Sequence, residues 1–355
     1  MTHKPRAIGG LHEVCIGVPS FEVPLVYWQA FGFKEGASGA LSAADANALY
    51  GVNSGLNSMR LQHQDADHGL IRLMKWDTPT NDGVSVAPFR GHGSRWSGQF
   101  ARDILDIANH AAIARKQGYP VYDVPPSFID LSSYNPAMFG GKPVLPFTDK
   151  IVAVREYSMI QPLSRQAVLE RFGYDSKLLG KISEASLLRT SQIAHGGMMF
   201  TADTDAPTDF YDKVLGLKRV MVQETTWDKA MASRAAFDLV EGETHWSYTF
   251  EEPRSGTDND TRRSGRLLMF RFKPDSKLAD RRAKSSPGAL GYCLFTWRVR
   301  DVTEMHKACA AHGCTSLTDI RADEFGTHTF TCITPDRFVW LFEQASETEI
   351  ATMSV

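Results

Sequence analysis

Two histidines stand at matching points of a repeated segment. Residues 11–33 read LHEVCIGVPSFEVPLVYWQAFGF and residues 194–217 read AHGGMMFTADTDAPTDFYDKVLGL. Each is a short apolar strand, a turn with Pro and acidic residues, and a helix that ends in an aromatic pair and a Gly, where a helix C-cap needs a positive φ. His12 lies 20 residues before Gly32 and His195 lies 21 before Gly216. An imidazole at such a place can ligate a metal or carry a proton, or it can be a hydrogen-bonded part of the barrel. Arg72, Arg102 and Arg155 offer the fork that grips a carboxylate. Trp96, Tyr122, Tyr157, Trp246, Trp297 and Trp340 could wall a site for an aromatic or hydrophobic molecule, or serve as packing. His306, Cys309, His312 and Cys314 crowd around the last helix, but Cys309 falls on its apolar stripe, so the group is expected to be core. No phosphate-binding loop, nucleophile elbow or dinucleotide fingerprint occurs.

The elements that must carry these residues repeat four times. A chain of 355 residues suggests about two domains. QFARDILDIANHAAIARKQG at 99–118 and LFTWRVRDVTEMHKACAAHG at 294–313 form a second repeated pair, each with Gly 12 residues after an Asp, Asp106 and Asp301. Apolar residues follow at helical spacing: Ile107, Ala111 and Ala114 in one copy, Val302, Met305 and Cys309 in the other. Strand-like segments come next, KPVLPF and KIVAVREYSMI in the first copy, THTFTCI and RFVWLFEQ in the second. We read an α+β protein of four βαβββ modules, at 9–80, 95–162, 190–273 and 288–345. They pair into an N-terminal domain, 1–163, and a C-terminal domain, 190–355. The polar segment 164–189 is a partly helical connector, and EEPRSGTDNDTRRSGR is a solvated hairpin loop.

Composition narrows the function. Apolar residues are 43% and charged residues 23%, and 39 basic against 41 acidic residues leave a net charge of −2, without the basic excess of a nucleic-acid binder. No run reaches the roughly 18–20 apolar residues of a membrane span, and the first ten residues have no apolar signal core. The five cysteines show no CxxC pairing, so neither a disulfide framework nor a zinc ribbon is expected, and the cytoplasm is the expected compartment.

DFYDKVLGL at 209–217, with VYWQAFGF at 26–33 as a looser copy, resembles the helix-to-strand signature of the vicinal oxygen chelate superfamily, which includes glyoxalase I, extradiol dioxygenases and bleomycin-resistance proteins. The resemblance implies two glyoxalase-like domains, each a curved mixed sheet around a central cup. It also implies a divalent metal, Fe(II), Mn, Zn or Co, held by residues of the first and last strands. Carried over by position, the ligands would be His12, Gln99 and Glu156, or alternatively His195 and Glu343 in the second half. Glu156 and His12 would be catalytic, and Arg72, Arg102, Trp96 and Tyr157 would contact substrate. Three functions remain open: isomerase or lyase chemistry through a metal-bound enolate of a small oxygenated molecule, extradiol ring cleavage, or metal-free binding of a small molecule. The state would be monomer or homodimer, with no nucleic-acid or membrane partner.

Overall fold

A computed structural model describes residues 5–130, 152–174 and 176–352. Strand alternation builds its layers. In β1 (Glu13–Gly17), Val14 and Ile16 enter a large apolar core while Glu13 and Cys15 face the other way. The first module continues through α1 (Glu22–Ala30), β2 (Phe33–Leu41), α2 (Ala43–Tyr50), β3 (Leu56–His63) and β4 (Leu70–Trp76). The second comprises β5 (Arg95–Ala101), α3 (Ile104–Lys116), β6 (Tyr122–Asp130), β7 (Ala153–Gln161) and β8 (Ser164–Phe172). The third has β9 (Thr190–Thr201), β10 (Lys218–Thr226), α4 (Met231–Ala236), β11 (Thr244–Glu251) and β12 (Arg266–Phe272). The fourth has β13 (Gly291–Val299), α5 (Val302–Ala311), β14 (Arg321–Ala322), β15 (His328–Ile333) and β16 (Val339–Gln344), followed by α6 (Glu347–Thr352).

Among the described residues, sixteen strands form two curled, mixed sheets of eight. In each, two modules join through their first strands, antiparallel, and each first strand runs parallel to the last strand of its own module. The partners differ from those expected. β1 pairs with β13, and β5 pairs with β9. Module one therefore completes a sheet with module four, and module two with module three. The two sheets stand back to back over one core that takes Trp28 from α1, Ile107 from α3, Phe210 and Met305 from α5.

Three further expectations change. Residues 164–172 are the last strand of module two, not a connector, because its polar side chains meet partners inside the protein: Gln166 bonds Gln99, and Arg165 donates to the Pro88 carbonyl at 2.8 Å. The helix expected at 209–217 shrinks to short turns at Ala206–Thr208 and Phe210–Val214. The polar loop after β11 is not simply solvated, since Glu252 is buried beneath Arg254 and Arg263. KPVLPF lies outside the described residues. The four glycine stops are as expected: Gly32, Gly118, Gly216 and Gly313 have φ of 90°, 86°, 86° and 80°.

Candidate functional site

The first-strand pairing fixes which residues look into each cup. In the first cup, of modules one and four, Glu13 of β1 stands opposite Thr296 of β13. Last-strand neighbours place Arg72 on β4 and Glu343 on β16 beside them. In the second cup, of modules two and three, His195 of β9 stands opposite Gly98 of β5, and the matching last-strand places hold Leu268 and Leu169.

A buried ion-pair network fills the first cup. The Arg72 guanidinium donates from Nε to Glu13 Oε2 at 2.8 Å, from Nη2 to Glu343, and from Nη1 to Glu324 Oε1 at 3.3 Å. Asp323 Oδ2 lies 3.5 Å from Nη1. Arg60 binds the other oxygen of Glu13, and Arg298 approaches Glu343 at 3.8 Å. Phe325 lies against both Arg60 and Arg72, with ring centroids 4.3 and 4.9 Å away. Four carboxylates thus face three guanidinium groups. Burial and mutual repulsion push the Glu343 carboxyl up, and burial does the same to Asp323. His12 precedes β1 with Nε2 3.5 Å from Glu343 Oε2 and, among the described residues, no hydrogen-bond partner for either ring nitrogen. Burial, then Arg298, hold it well below its ordinary pKa, so the ring is neutral.

His12, Glu13 and Glu343 are close enough to be a candidate metal group, their ligating atoms lying within 4.8 Å of one another. The donor set does not fit a divalent cation. Both Glu13 oxygens and one oxygen of Glu343 already bind guanidinium, and Arg60 and Arg298 stand 3.7 and 3.8 Å from the remaining oxygen. An added cation would meet three fixed positive charges, and Arg72 already occupies the space between the carboxylates. The second cup offers one donor, His195, at the four family ligand places.

The second cup encloses a cavity of ≈ 540 Å³. Phe89 stacks on Trp96 with centroids 4.7 Å apart, and Phe237 and Phe270 pack around them. Ala167, Leu169 and Leu268 complete the apolar wall. Glu156 of β7 faces into it without a hydrogen-bond or ion-pair partner among the described residues, and burial pushes its carboxyl up to about 7. Burial, aided by Arg266, drives His195 down to about 3, and burial drives His245 down to about 4, so both imidazoles are neutral. Gln223, Lys229 and Ser247 add polar edges. The site can therefore hold an apolar molecule against one ionisable carboxyl of near-neutral pKa.

The expected ligand set is not assembled. His12 lies in the first cup and Glu156 in the second. Gln99 faces neither: it sits between the sheets, accepting from Gln166 at 2.7 Å and donating to the Ser191 carbonyl at 3.0 Å. The alternative pair is also split, His195 in the second cup and Glu343 in the first. Glu156 lies on the third strand of its module whereas Glu343 lies on the fourth, so the two are not equivalent. Among the expected substrate contacts, Trp96 lines the cavity. Arg72 is locked in its ion pairs, Arg102 is half exposed beside Glu184, and Tyr157 turns to the back of its sheet and bonds Asp123 at 2.9 Å. Trp297 and Trp340 belong to the shared core, and Trp246 bonds Glu224 at 3.1 Å. Sequence reasoning missed Glu13, although the alternation of Val14 and Ile16 with Glu13 and Cys15 marks its face. It also missed Arg60 and His245.

Residues 192–342 match the model of the Glyoxalase/Bleomycin resistance protein/Dioxygenase superfamily, a stretch that supplies half of each cup. Glyoxalase I from Zea mays superposes with a TM-score of 0.51 at 11% identity, covering 97% of this chain and 94% of that one. A putative dioxygenase from Bacillus subtilis superposes with a TM-score of 0.52 at 10% identity, covering 96% and 86%. No curated protein matches in sequence. No helix among the described residues is long and apolar enough to cross a membrane. The family match covers modules three and four, and the whole chain folds into two cupped sheets of four repeated modules, the fold it shares with glyoxalase I.

Proposed function

We propose that the second cup binds a small, flat, oxygenated molecule and that Glu156 exchanges a proton with it, as in isomerase or lyase chemistry, without a metal at that site. The observation that carries this reading is the unpartnered Glu156 carboxyl in an apolar cavity of ≈ 540 Å³, with its pKa pushed to about 7 by burial. A base works best with a pKa near the working pH, and an apolar wall strengthens its attraction for a proton on carbon or oxygen. Trp96 and Phe270 supply flat surfaces for the ligand, and neutral His195 and His245 can donate or accept a hydrogen bond at its oxygens. Ring cleavage by iron finds little support, because His195, Gly98, Leu268 and Leu169 supply a single donor.

The test is hydrogen–deuterium exchange at the carbon beside the carbonyl of small aliphatic and aryl hydroxy-ketones in D₂O, followed by NMR with and without a chelator. Catalysed exchange should persist after chelation. It should rise about tenfold per pH unit below about 7 and level off above, since the deprotonated carboxylate is the active form. Glu156→Gln should remove the catalysis while keeping ligand binding within about threefold. Exchange that is lost on chelation, or retained in Glu156→Gln, would sink the proposal. Tight binding with no exchange in either protein would leave the sequestering function, which the two leucines at the ligand places favour.

A further inference from the structure

Behind the first sheet, on the face away from its cup, three sulfur atoms converge. α5 packs its stripe of Val302, Met305 and Cys309 toward β15 and β16. The helix stops at Gly313, and the chain turns back so that the Cys314 amide donates to the Cys309 carbonyl at 3.2 Å. Thr315 then bridges to Ile333 of β15, which sets Cys314 beside Cys332. The three Sγ atoms lie within 4.8 Å of one another, and Cys309, Cys314 and Cys332 are 0%, 8% and 1% exposed. Helix, turn and strand each contribute one thiol. Phe330 and Met305 are part of the same apolar cluster. Cys15 and Cys293 differ: they meet as a pair in the first sheet, where the Cys293 thiol donates to the Cys15 carbonyl at 3.5 Å.

We propose that Cys309, Cys314 and Cys332 form a binding site for a soft monovalent metal ion, with the cuprous ion as the one the geometry suits. Thiolate ligands select such ions over hard cations, whereas structural zinc sites take four protein ligands and this cluster supplies three, set among apolar side chains that cannot hold a fourth, water ligand. The cluster is preassembled for it: three sulfur atoms from three elements already lie within 4.8 Å of one another in an apolar setting. Binding exchanges thiol protons for the ion: each S–H that becomes a thiolate ligand releases its proton to solvent, and no oxidation state changes. Cys314, with the largest exposure of the three, is the point of entry.

The experiment is anaerobic titration of the reduced full chain with Cu(I) against the competing chelator bicinchoninate. X-ray absorption on the loaded protein and native alkylation of the thiols accompany it. We expect one equivalent bound, three sulfur neighbours at copper, and protection of Cys309, Cys314 and Cys332 from alkylation. Cys314→Ser and, to keep the core packed, Cys332→Ala should each lower affinity at least tenfold. Cys293→Ser should bind as the parent does. No binding by the folded parent, equal loss in Cys293→Ser, or coordination by four ligands or by nitrogen would each overturn the assignment.

Discussion

Arg72 is where charge inside the protein is settled. Its guanidinium stands between Glu13 and Glu343, with Glu324 and Asp323 beyond, at the first- and last-strand places of the first cup. A guanidinium is a permanent cation that needs no uptake from solution, and its planar fork satisfies several carboxylate oxygens at once. Buried ion pairs of this kind add little net stability over an apolar filling, but removing one partner leaves its counter-charges stranded. Arg72→Met therefore should cost about 3–5 kcal/mol at pH 7, read from the urea midpoint. The loss should shrink as pH falls. Removing the cation raises the carboxyl pKa values in the folded state, and a raised carboxyl favours the folded form at pH below that value and loses this as pH rises through it. A cost under about 1 kcal/mol, or one that does not vary with pH, would show the network to be unimportant for the fold.

At the scale of elements, the pairing of β5 with β9 explains both the shape of the second cup and why its residues were hard to read. Gly98 lies directly under His195: a Cβ there would sit 1.8 Å from Cε1 of the ring. Gly98→Ala should push the imidazole off its strand and into the cavity. The expected cost is about 1–3 kcal/mol in unfolding free energy, together with weaker ligand binding at the second cup. Unchanged midpoint and unchanged binding would mean that Gly98 and His195 do not stand opposite each other here. The modular repeat itself was legible, through four glycine stops and the strand–helix alternation. The site was not, for a countable reason. Measured back from the glycines, Asp106 matches Asp301, and Gln99 becomes the ligand place. The structure instead caps α3 with Asp103 and α5 with Asp301, because α3 is three residues longer. Gly98, opposite His195, lies five residues before the Asp103 cap, as Thr296, opposite Glu13, lies five before the Asp301 cap. An odd offset moves a strand residue to the other face, and that put Gln99 between the sheets. β8 escaped notice because its polar side chains are satisfied internally, which hides the alternation that marks a strand.

At the scale of the whole molecule, the nested order of the modules decides how the chain holds together. Modules one and four share a sheet although they are farthest apart in sequence, and modules two and three share the other. Each half of the chain therefore contains one module from each sheet. β1 separated from β13, or β5 from β9, would expose a central strand whose backbone groups and buried face have lost their partner. A break between residues 186 and 187 should thus leave neither fragment able to fold by itself, while co-expression of 1–186 and 187–355 should restore a soluble complex that co-purifies and unfolds in one transition. Had each half contained a complete sheet, as expected from the sequence, both fragments would fold alone with sharp, separate transitions and no need of each other. Circular dichroism melts of the fragments, alone and together, tell the two arrangements apart. The result also bears on the cups, since both the ion-pair network and the cavity draw residues from the two halves. Glu13 and Arg72 meet Glu343 across that division, and Glu156 and Trp96 meet His195 and Phe270 across it too. Loss of the second-cup ligand in separate fragments, and its recovery in the reassembled pair, would place the binding site across the same junction that makes the fold cooperative.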